Sequence, residues 1–122
     1  MSAAEFGFPL AGERVTVVRG AQGIVIEDRD GTPIGTVELE HAGEGEVFIK
    51  SVCIEESKRG YGAGTEATRL LLEAAAEAGT VVRAWAPPDL GLAVYFWIRM
   101  GLRPLHSAGP NGGILFEWNP DR

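Results

Sequence analysis

The stretch Arg59–Thr65, RGYGAGT, places three glycines in seven residues between an apolar segment and an amphipathic one. Glycine adopts positive φ without steric cost and lets other groups approach the backbone closely. Successive N–H groups in such a loop can converge on one concavity, and a following helix N-terminus adds uncompensated donors. The stretch therefore predicts a strand–loop–helix junction that binds an anion such as a phosphate or pyrophosphate. A tight turn capped by Thr65 is the plain alternative.

Upstream of this loop, alternating and β-branched runs predict four strands. Asp30-Gly31 is a strong hairpin signal between the second and third of them. The fourth is largely apolar, which favours a central place in a sheet. The predicted strands are Glu13–Arg19, Gly23–Asp28, Thr32–Glu40 and Glu46–Glu55, after a loose arm over residues 1–12.

Downstream of the loop the apolar period changes to that of a helix. Thr65–Ala78 has one apolar face, formed by Ala67, Leu70, Leu71, Ala74, Ala75 and Ala78, and Gly79 ends it. A strand, a helix capped by Asp89 and a closing hairpin follow, at Val81–Ala86, Leu90–Met100, Leu102–His106 and Ile114–Trp118. This order predicts an α/β domain with a mixed, mostly antiparallel sheet and helices packed on it.

Length and charge limit the class of protein. The 122 residues, 45% of them apolar, suffice for one domain, predicted over residues 13–122. A net charge of −6 argues against nucleic acid or an anionic membrane as partner. Residues 1–10 show no secretory signal pattern, and the single cysteine, Cys53, fits a reducing cytoplasm. Cys53, His41 and His106 are too scattered to predict a metal site.

Two nucleotide-binding patterns fit the loop poorly. A P-loop ends in Gly-Lys-Ser/Thr, whereas Gly64 is followed by Thr65-Glu66. A dinucleotide fingerprint follows the first strand of a parallel βαβ unit and reads G-x-G-x-x-G. Here the loop follows the fourth strand and reads G-x-G-x-G. Both patterns are therefore disfavoured.

The spacing Arg59-x-x-Gly62-x-Gly64 resembles motif A of the GCN5-related N-acetyltransferase (GNAT) family. The run Ala93–Leu102 is similar to the late helix of that family, which flanks the coenzyme thiol. Together with the element order, the resemblance extends from about Thr32 to Trp118. It implies a single GNAT-like acyltransferase domain that uses acetyl-coenzyme A.

The resemblance also implies site residues. The loop and the helix start would hold the coenzyme pyrophosphate, and a backbone N–H of Cys53 or Ile54 would polarise the thioester carbonyl. Trp97 stands where many members place a tyrosine that acts as a general acid near the sulfur. Tyr95, two residues earlier, would face the opposite side of the helix. The implied coenzyme-binding residues are Cys53, Ile54, Arg59, Gly60, Tyr61, Gly62, Ala63, Gly64, Thr65 and Trp97.

Glu46 is the candidate for a catalytic base. An amine of the lysine type has an ordinary pKa near about 10.4, so it must lose a proton before it attacks. Glu46 stands thirteen residues before Arg59, where the resemblance to the histone-acetylating branch of the family implies a general base. A solvated carboxylate at the start of a strand is the equally weighted alternative.

One departure from the family concerns the acceptor side. Members carry two helices between the first two strands, but here only Gly20–Gly23 separates Arg19 from Ile24. The acceptor side is therefore expected to be open, or completed by a second subunit in a homodimer. The implied reaction is direct attack of a primary amine, on a small molecule or a peptide, in a ternary complex. The alternatives are a coenzyme A-binding module without catalysis and an interaction domain that has lost the ligand.

Overall fold

The computed structural model describes residues 6–21, 23–87, 91–108 and 112–120, and its elements follow the predicted order with one short strand added in front. The strands are β1 Leu10–Ala11, β2 Thr16–Gly20, β3 Gly23–Glu27, β4 Pro33–Gly43, β5 Glu46–Ile54, β6 Val81–Ala86, β7 Arg103–Ala108 and β8 Ile114–Trp118. The helices are α1 Ala63–Ala78 and α2 Gly91–Arg99, with a 3-10 turn at Glu56–Lys58. No described helix is long and apolar enough to cross a membrane.

The strands form one sheet in the order β1-β2-β3-β4-β5-β6-β8-β7. Of the pairings between described strands, that of β5 with β6 is parallel and the others are antiparallel. The predicted mixed, mostly antiparallel sheet is confirmed. The predicted short connection between Arg19 and Ile24 is confirmed as well, because β2 and β3 pair directly as a hairpin that begins with the pair Gly20 and Gly23.

Several element boundaries differ from the predicted ones. The segment predicted as a loose arm contains β1, and Phe6 is buried in the core. Helix α1 begins two residues before Thr65, because Gly62 in the left-handed region ends the loop earlier. The predicted cap Asp89 lies outside the described residues. The division of the chain into an arm and a domain after residue 12 stays a prediction.

The buried face of α1 is also rotated from the predicted one. Leu70 is only partly buried and Ala78 is exposed, whereas Thr68 and Leu72 are buried. The cause is that α1 crosses the sheet with Ala67, Leu71 and Ala75 at the centre of its contact, so neighbours on both sides of that row are covered. The periodicity of the sequence locates the centre of the apolar stripe but not its edges.

Both helices pack on the same face of the sheet. The crossovers β5–α1–β6 and β6–α2–β7 connect parallel strands and proceed in the same direction across the sheet. Since such crossovers are right-handed, both helices fall on one side. One cluster accordingly joins residues of that sheet face to residues of α1 and α2: Val17, Ile26, Val37, Ile49, Ala84, Phe116, Leu71 and Trp97.

The other side of the sheet we call the open face, because no described helix lies on it. The strand registers assign to it Thr16, Val18, Val25, Glu27, Thr36, Glu38, Glu40, Glu46, Phe48, Ser51, Cys53, Arg83, Trp85, Arg103, Leu115 and Glu117. None of these residues is fully buried. The hydrophobic core of the described chain is therefore one-sided.

Neighbouring residues of β8 test this one-sided core. Phe116 is 0% exposed and faces the helices, whereas Leu115 lies on the open face. We expect Phe116→Ala to lower the free energy of unfolding by about 3–5 kcal/mol, because it leaves a cavity. We expect Leu115→Ala to cost less than about 1 kcal/mol in dilute solution, as measured by urea unfolding. Equal costs would contradict the arrangement.

Candidate functional site

The glycine loop ends in a helix cap that has no side chain. Gly60 and Gly62 have φ of 87° and 83°, in the left-handed region that favours glycine. Gly62 is the N-cap of α1, and the first helical hydrogen bond runs from the Glu66 N–H to the Gly62 carbonyl at 3.0 Å. The N–H groups of the first three residues of α1 precede this ladder. The helix therefore presents backbone donors and a partial positive charge at its start.

Two arginines hold the loop from opposite sides. The Arg59 Nε donates to the Ile54 carbonyl at 2.8 Å, which ties the loop to the end of β5. The Arg14 Nη1 donates to the Tyr61 carbonyl at 2.8 Å. The Tyr61 ring itself is 71% exposed, so its backbone, not its ring, fixes the loop. These bonds orient the peptide groups around Gly62.

Glu66 joins α1 to the segment before β2. One of its carboxylate oxygens accepts the backbone N–H groups of Arg14 at 2.7 Å and Val15 at 2.8 Å. A Cβ at Gly12 would lie 2.5 Å from this oxygen, so a larger residue there would displace the Glu66 carboxylate. The contact holds the segment that carries Arg14 next to the glycine loop, where the Arg14 side chain bonds the Tyr61 carbonyl.

Cations are concentrated around the loop although the chain is acidic. The main hollow is lined by Ile54, Lys58, Arg59, Gly60, Gly62, Ala63, Gly64, Thr65, Phe96 and Arg99. A hollow on the other side of Thr65 adds Arg14 and Arg69, and Glu13 and Glu66 lie there as well. Five of the eleven lysines and arginines thus surround one helix start. Arg99 of α2 reaches the Thr65 hydroxyl at 3.3 Å, which connects the two helices across this site.

Strands β5 and β6 separate next to the loop. Their parallel pairing ends at Ile49 and Ala84, although β5 continues to Ile54. The register of β5 against β4 shifts at the same point, so that Lys50 is an extra residue between two paired positions. Such a bulge bends and twists the strand. The result is a gap between β5 and β6 that leads from the hollow toward the open face.

The direction of the β5 backbone decides which N–H groups enter this gap. The Glu55 N–H donates to the Ile34 carbonyl beside β4 at 2.8 Å. Because successive residues of a strand direct their backbone groups to opposite edges, the Cys53 N–H also points toward β4. The N–H groups of Ile54 and Val52 point toward the gap. Cys53 and Ile54 were the two predicted donors, and the structure directs only the Ile54 N–H into the gap. The Val52 N–H also points there, although the sequence analysis did not name it.

The aromatic run of α2 is divided between the core and the site. Trp97 is 6% exposed and belongs to the core, whereas Phe96 lines the main hollow. The two rings meet edge to face at 5.0 Å. Tyr95 is 60% exposed on the far side of the helix, which confirms that it faces away from Trp97. The sequence analysis did not name Phe96 and Arg99 as site residues. A helical pattern does not show which side of the helix faces the loop, because the rotation of the helix about its axis is set by packing.

Glu46 lies apart from the loop. It is the first residue of β5, six residues or about 20 Å along the strand from Val52. Its carboxylate forms an ion pair of 2.7 Å with Arg83, which also binds Glu117 at 3.0 Å. All three side chains lie on the open face. The structure therefore does not bring the predicted base together with the predicted coenzyme-binding residues.

Solved structures with the same fold are acetyltransferases. An acetyltransferase from Agrobacterium tumefaciens matches with a TM-score of 0.73 and 16% identity, over 91% of this chain and 94% of that one. A GNAT family acetyltransferase from Bacillus anthracis matches with a TM-score of 0.67 and 14% identity, over 81% and 66%. An N-acetyltransferase from Thermoplasma acidophilum, solved in complex with coenzyme A, matches with a TM-score of 0.61 and 18% identity, over 79% and 58%.

The family model described as "Acetyltransferase (GNAT) family" matches residues 5–101, so the chain belongs to the GNAT family. Its fold is that of GNAT acetyltransferases. No curated protein matches the chain in sequence. The chain spans about two thirds of the length of the Bacillus anthracis protein and of a nourseothricin acetyltransferase.

The contact between Glu66 and the backbone before β2 is open to a stability test. We expect Glu66→Ala to lower the free energy of unfolding by about 1–3 kcal/mol, because the part-buried Val15 N–H and the exposed Arg14 N–H lose a charged acceptor. Glu73→Ala, on the exposed side of the same helix, is the matched control and is expected to change it by less than about 0.5 kcal/mol. Thermal or urea unfolding of both variants measures the difference, and equal effects would contradict the anchoring role.

Proposed function

We propose that the protein is an acetyl-coenzyme A-dependent N-acetyltransferase that transfers the acetyl group to a primary amine. Direct attack in a ternary complex is the proposed mechanism. The observation that carries the proposal is the junction at Gly62, where helix N–H groups without a side-chain cap border a hollow lined by Lys58, Arg59 and Arg99. The family supports acetyl transfer, and an N-acetyltransferase with a similar fold was solved with coenzyme A.

The residues around the loop suit a coenzyme A molecule. Backbone N–H groups at a helix start bind phosphate oxygens, and lysine and arginine side chains add charge-assisted contacts. Lys58, Arg59 and Arg99 lie on the main hollow, and Arg14 and Arg69 lie beside it. The hollow continues past Ile54 toward the gap between β5 and β6. When bound, acetyl-coenzyme A would supply the acetyl group as an activated thioester.

The backbone of β5 would polarise the thioester carbonyl. The N–H groups of Val52 and Ile54 point into the gap, and donors of this kind are held in place by the sheet before reaction. The indole of Trp97 is not an acid near neutral pH, and it lies in the core, so this residue supplies no proton to the leaving thiolate. A thiol with an ordinary pKa near about 8.5 leaves without full protonation, so transfer remains feasible. The missing acid also favours the second candidate, a coenzyme A-binding module without turnover.

The acceptor is proposed to be an amine on a small molecule or a peptide that reaches the gap from the open face. No described helix covers that face, so a bulky acceptor would not be excluded there. The acidic chain favours a cationic acceptor over nucleic acid. The exposed thiol of Cys53, the only cysteine, agrees with a reducing compartment, and we propose the cytoplasm.

Coenzyme binding and turnover are tested together by Gly62→Glu. The wild-type protein is expected to melt at a higher temperature with acetyl-coenzyme A and to release thiol when a suitable amine is added. Gly62→Glu is expected to abolish both effects, because it places a carboxylate where the phosphates would lie. Gly79→Glu is the matched control. Gly79 caps the other end of α1 at φ 67°, so a glutamate there introduces a similar backbone strain of about 1–3 kcal/mol at a position away from the site.

The outcomes separate the candidate functions. Stabilisation and thiol release that are lost only in Gly62→Glu support the acetyltransferase. Stabilisation without thiol release across a broad panel of amines would identify the binding module. No stabilisation at millimolar acetyl-coenzyme A would leave only an interaction domain and would overturn the proposal.

Glu46 as general base stays a proposal that rests on its spacing from Arg59. Its position requires that the proton reach it through water along the open face. We expect Glu46→Gln to lower kcat by about 100-fold, the low end for general bases, with little change in coenzyme affinity. Glu117→Gln removes the other carboxylate from Arg83 and is the matched control. Equal activity of wild type and Glu46→Gln, or equal losses in the two variants, would remove Glu46 from the mechanism.

A further inference from the structure

We infer that Arg14 is a positioning residue for the diphosphate of coenzyme A. It holds the peptide between Tyr61 and Gly62 in the orientation that directs the Gly62 N–H into the main hollow, and it acts without touching the ligand. The inference rests on the proposed function, because it concerns the affinity of the same loop for the coenzyme. It assigns part of that affinity to a residue 47 positions before Tyr61.

The glycine that caps α1 leaves the orientation of the preceding peptide open. Helix α1 fixes the peptide after Gly62, because the Gly62 carbonyl accepts the Glu66 N–H at 3.0 Å. The peptide between Tyr61 and Gly62 lies outside that helical ladder. Glycine populates positive and negative φ about equally, so the residue that permits the observed φ of 83° also permits the φ of a rotated peptide. A contact from elsewhere in the chain must therefore select the orientation.

Arg14 supplies that contact. Its Nη1 donates to the Tyr61 carbonyl at 2.8 Å. The peptide is trans, so its carbonyl and its N–H point to opposite sides. Arg14 lines the two hollows that flank the loop but not the main hollow, which Gly62 does line. The Gly62 N–H therefore points away from Arg14 and toward the main hollow. After rotation of the peptide, the Tyr61 carbonyl would face the hollow instead and would repel a phosphate.

Helix α1 also holds the segment that carries Arg14. The Glu66 carboxylate accepts the backbone N–H groups of Arg14 at 2.7 Å and of Val15 at 2.8 Å. The Gly12 N–H donates to the Val15 carbonyl at 2.8 Å and closes a turn around Arg14. The Val15 side chain is buried and anchors this turn in the core. The helix that presents the donors thus fixes the residue that orients the peptide in front of them.

The guanidinium acts through the peptide. A Cβ built at Gly62 would lie 3.0 Å from the Arg14 Nη1, so the guanidinium packs directly against the backbone of the loop. A cation that binds a carbonyl polarises the peptide and strengthens the donor at its other end. Direct contacts with phosphate remain for the cations that line the main hollow, which are Lys58, Arg59 and Arg99. Loss of Arg14 is therefore expected to weaken one backbone donor and to leave the others in place.

Titration calorimetry with coenzyme A tests the inference on the full chain. Arg14→Gln retains the backbone N–H that Glu66 binds, so the variant is expected to fold. Its Kd is expected to rise about tenfold, the low end for hydrogen bonds to charged groups, because this bond is exposed to solvent. Arg14→Lys keeps a cationic donor and is expected to recover most of the affinity.

Arg29→Gln is the matched control for net charge. Arg29 is exposed in the turn between β3 and β4, and its replacement removes one positive charge, as Arg14→Gln does. The Kd for coenzyme A is expected to change by less than about twofold, because salt screens exposed charges that do not contact the ligand.

The amide signals of the loop in NMR spectra separate orientation from folding. In the wild-type protein, saturating coenzyme A is expected to shift the amide protons of Gly62, Ala63 and Gly64 downfield, because they form hydrogen bonds to phosphate. In Arg14→Gln the Gly62 shift is expected to be lost. The shifts of Ala63 and Gly64 are expected to remain, because α1 orients those peptides.

The outcomes distinguish this inference from the proposed function. Wild-type protein that binds no coenzyme A at millimolar concentration would overturn both. Equal affinities of wild type and Arg14→Gln, or equal losses in Arg14→Gln and Arg29→Gln, would overturn the inference and leave the proposed function intact. A Gly62 signal that shifts in Arg14→Gln as it does in the wild type would have the same consequence.

Discussion

The site depends on the uncapped start of α1. A helix leaves its first N–H groups without partners, and most helices satisfy them with a serine, threonine or aspartate side chain. Here Gly62 occupies the cap and offers none. The bonds from Arg14 and Arg59 hold the surrounding backbone, so that the donors stay directed at the hollow. The result is a set of directed backbone donors, and these are the groups to which the proposed function assigns the coenzyme phosphates.

The one-sided core follows from chirality and connects stability to the acceptor side. Two successive right-handed crossovers place both helices on the same face, so most fully buried strand residues lie there. The hairpin at Gly20 and Gly23 adds no helix to the other face. In this small chain the helix-free face borders the gap between β5 and β6. The route proposed for the acceptor therefore crosses the face that no described helix covers.

Charge is distributed unevenly over the molecule. The chain is acidic overall, which keeps copies and polyanions apart at a distance. Around Thr65 the cations dominate, so an anionic ligand meets a locally positive surface. On the open face carboxylates and cations are paired, as around Arg83. The net charge by itself would have indicated none of these local surfaces.

By itself the sequence determined the order of the elements after β1, the mixed sheet, the glycine loop and the short hairpin between β2 and β3. These features are local: the residues Arg59–Thr65 specify their own turn, and alternation or helical periodicity specifies each element. Only the tertiary structure decided which side chains surround the loop. Arg14 is separated from Tyr61 by 47 residues, and Arg99 from Thr65 by 34, so no local pattern pairs them. The structure also decided that Trp97 enters the core while Phe96 lines the hollow, because the roll of α2 is set by packing on the sheet. It likewise directed the N–H groups of Val52 and Ile54 into the gap, since a backbone direction depends on the neighbouring strand.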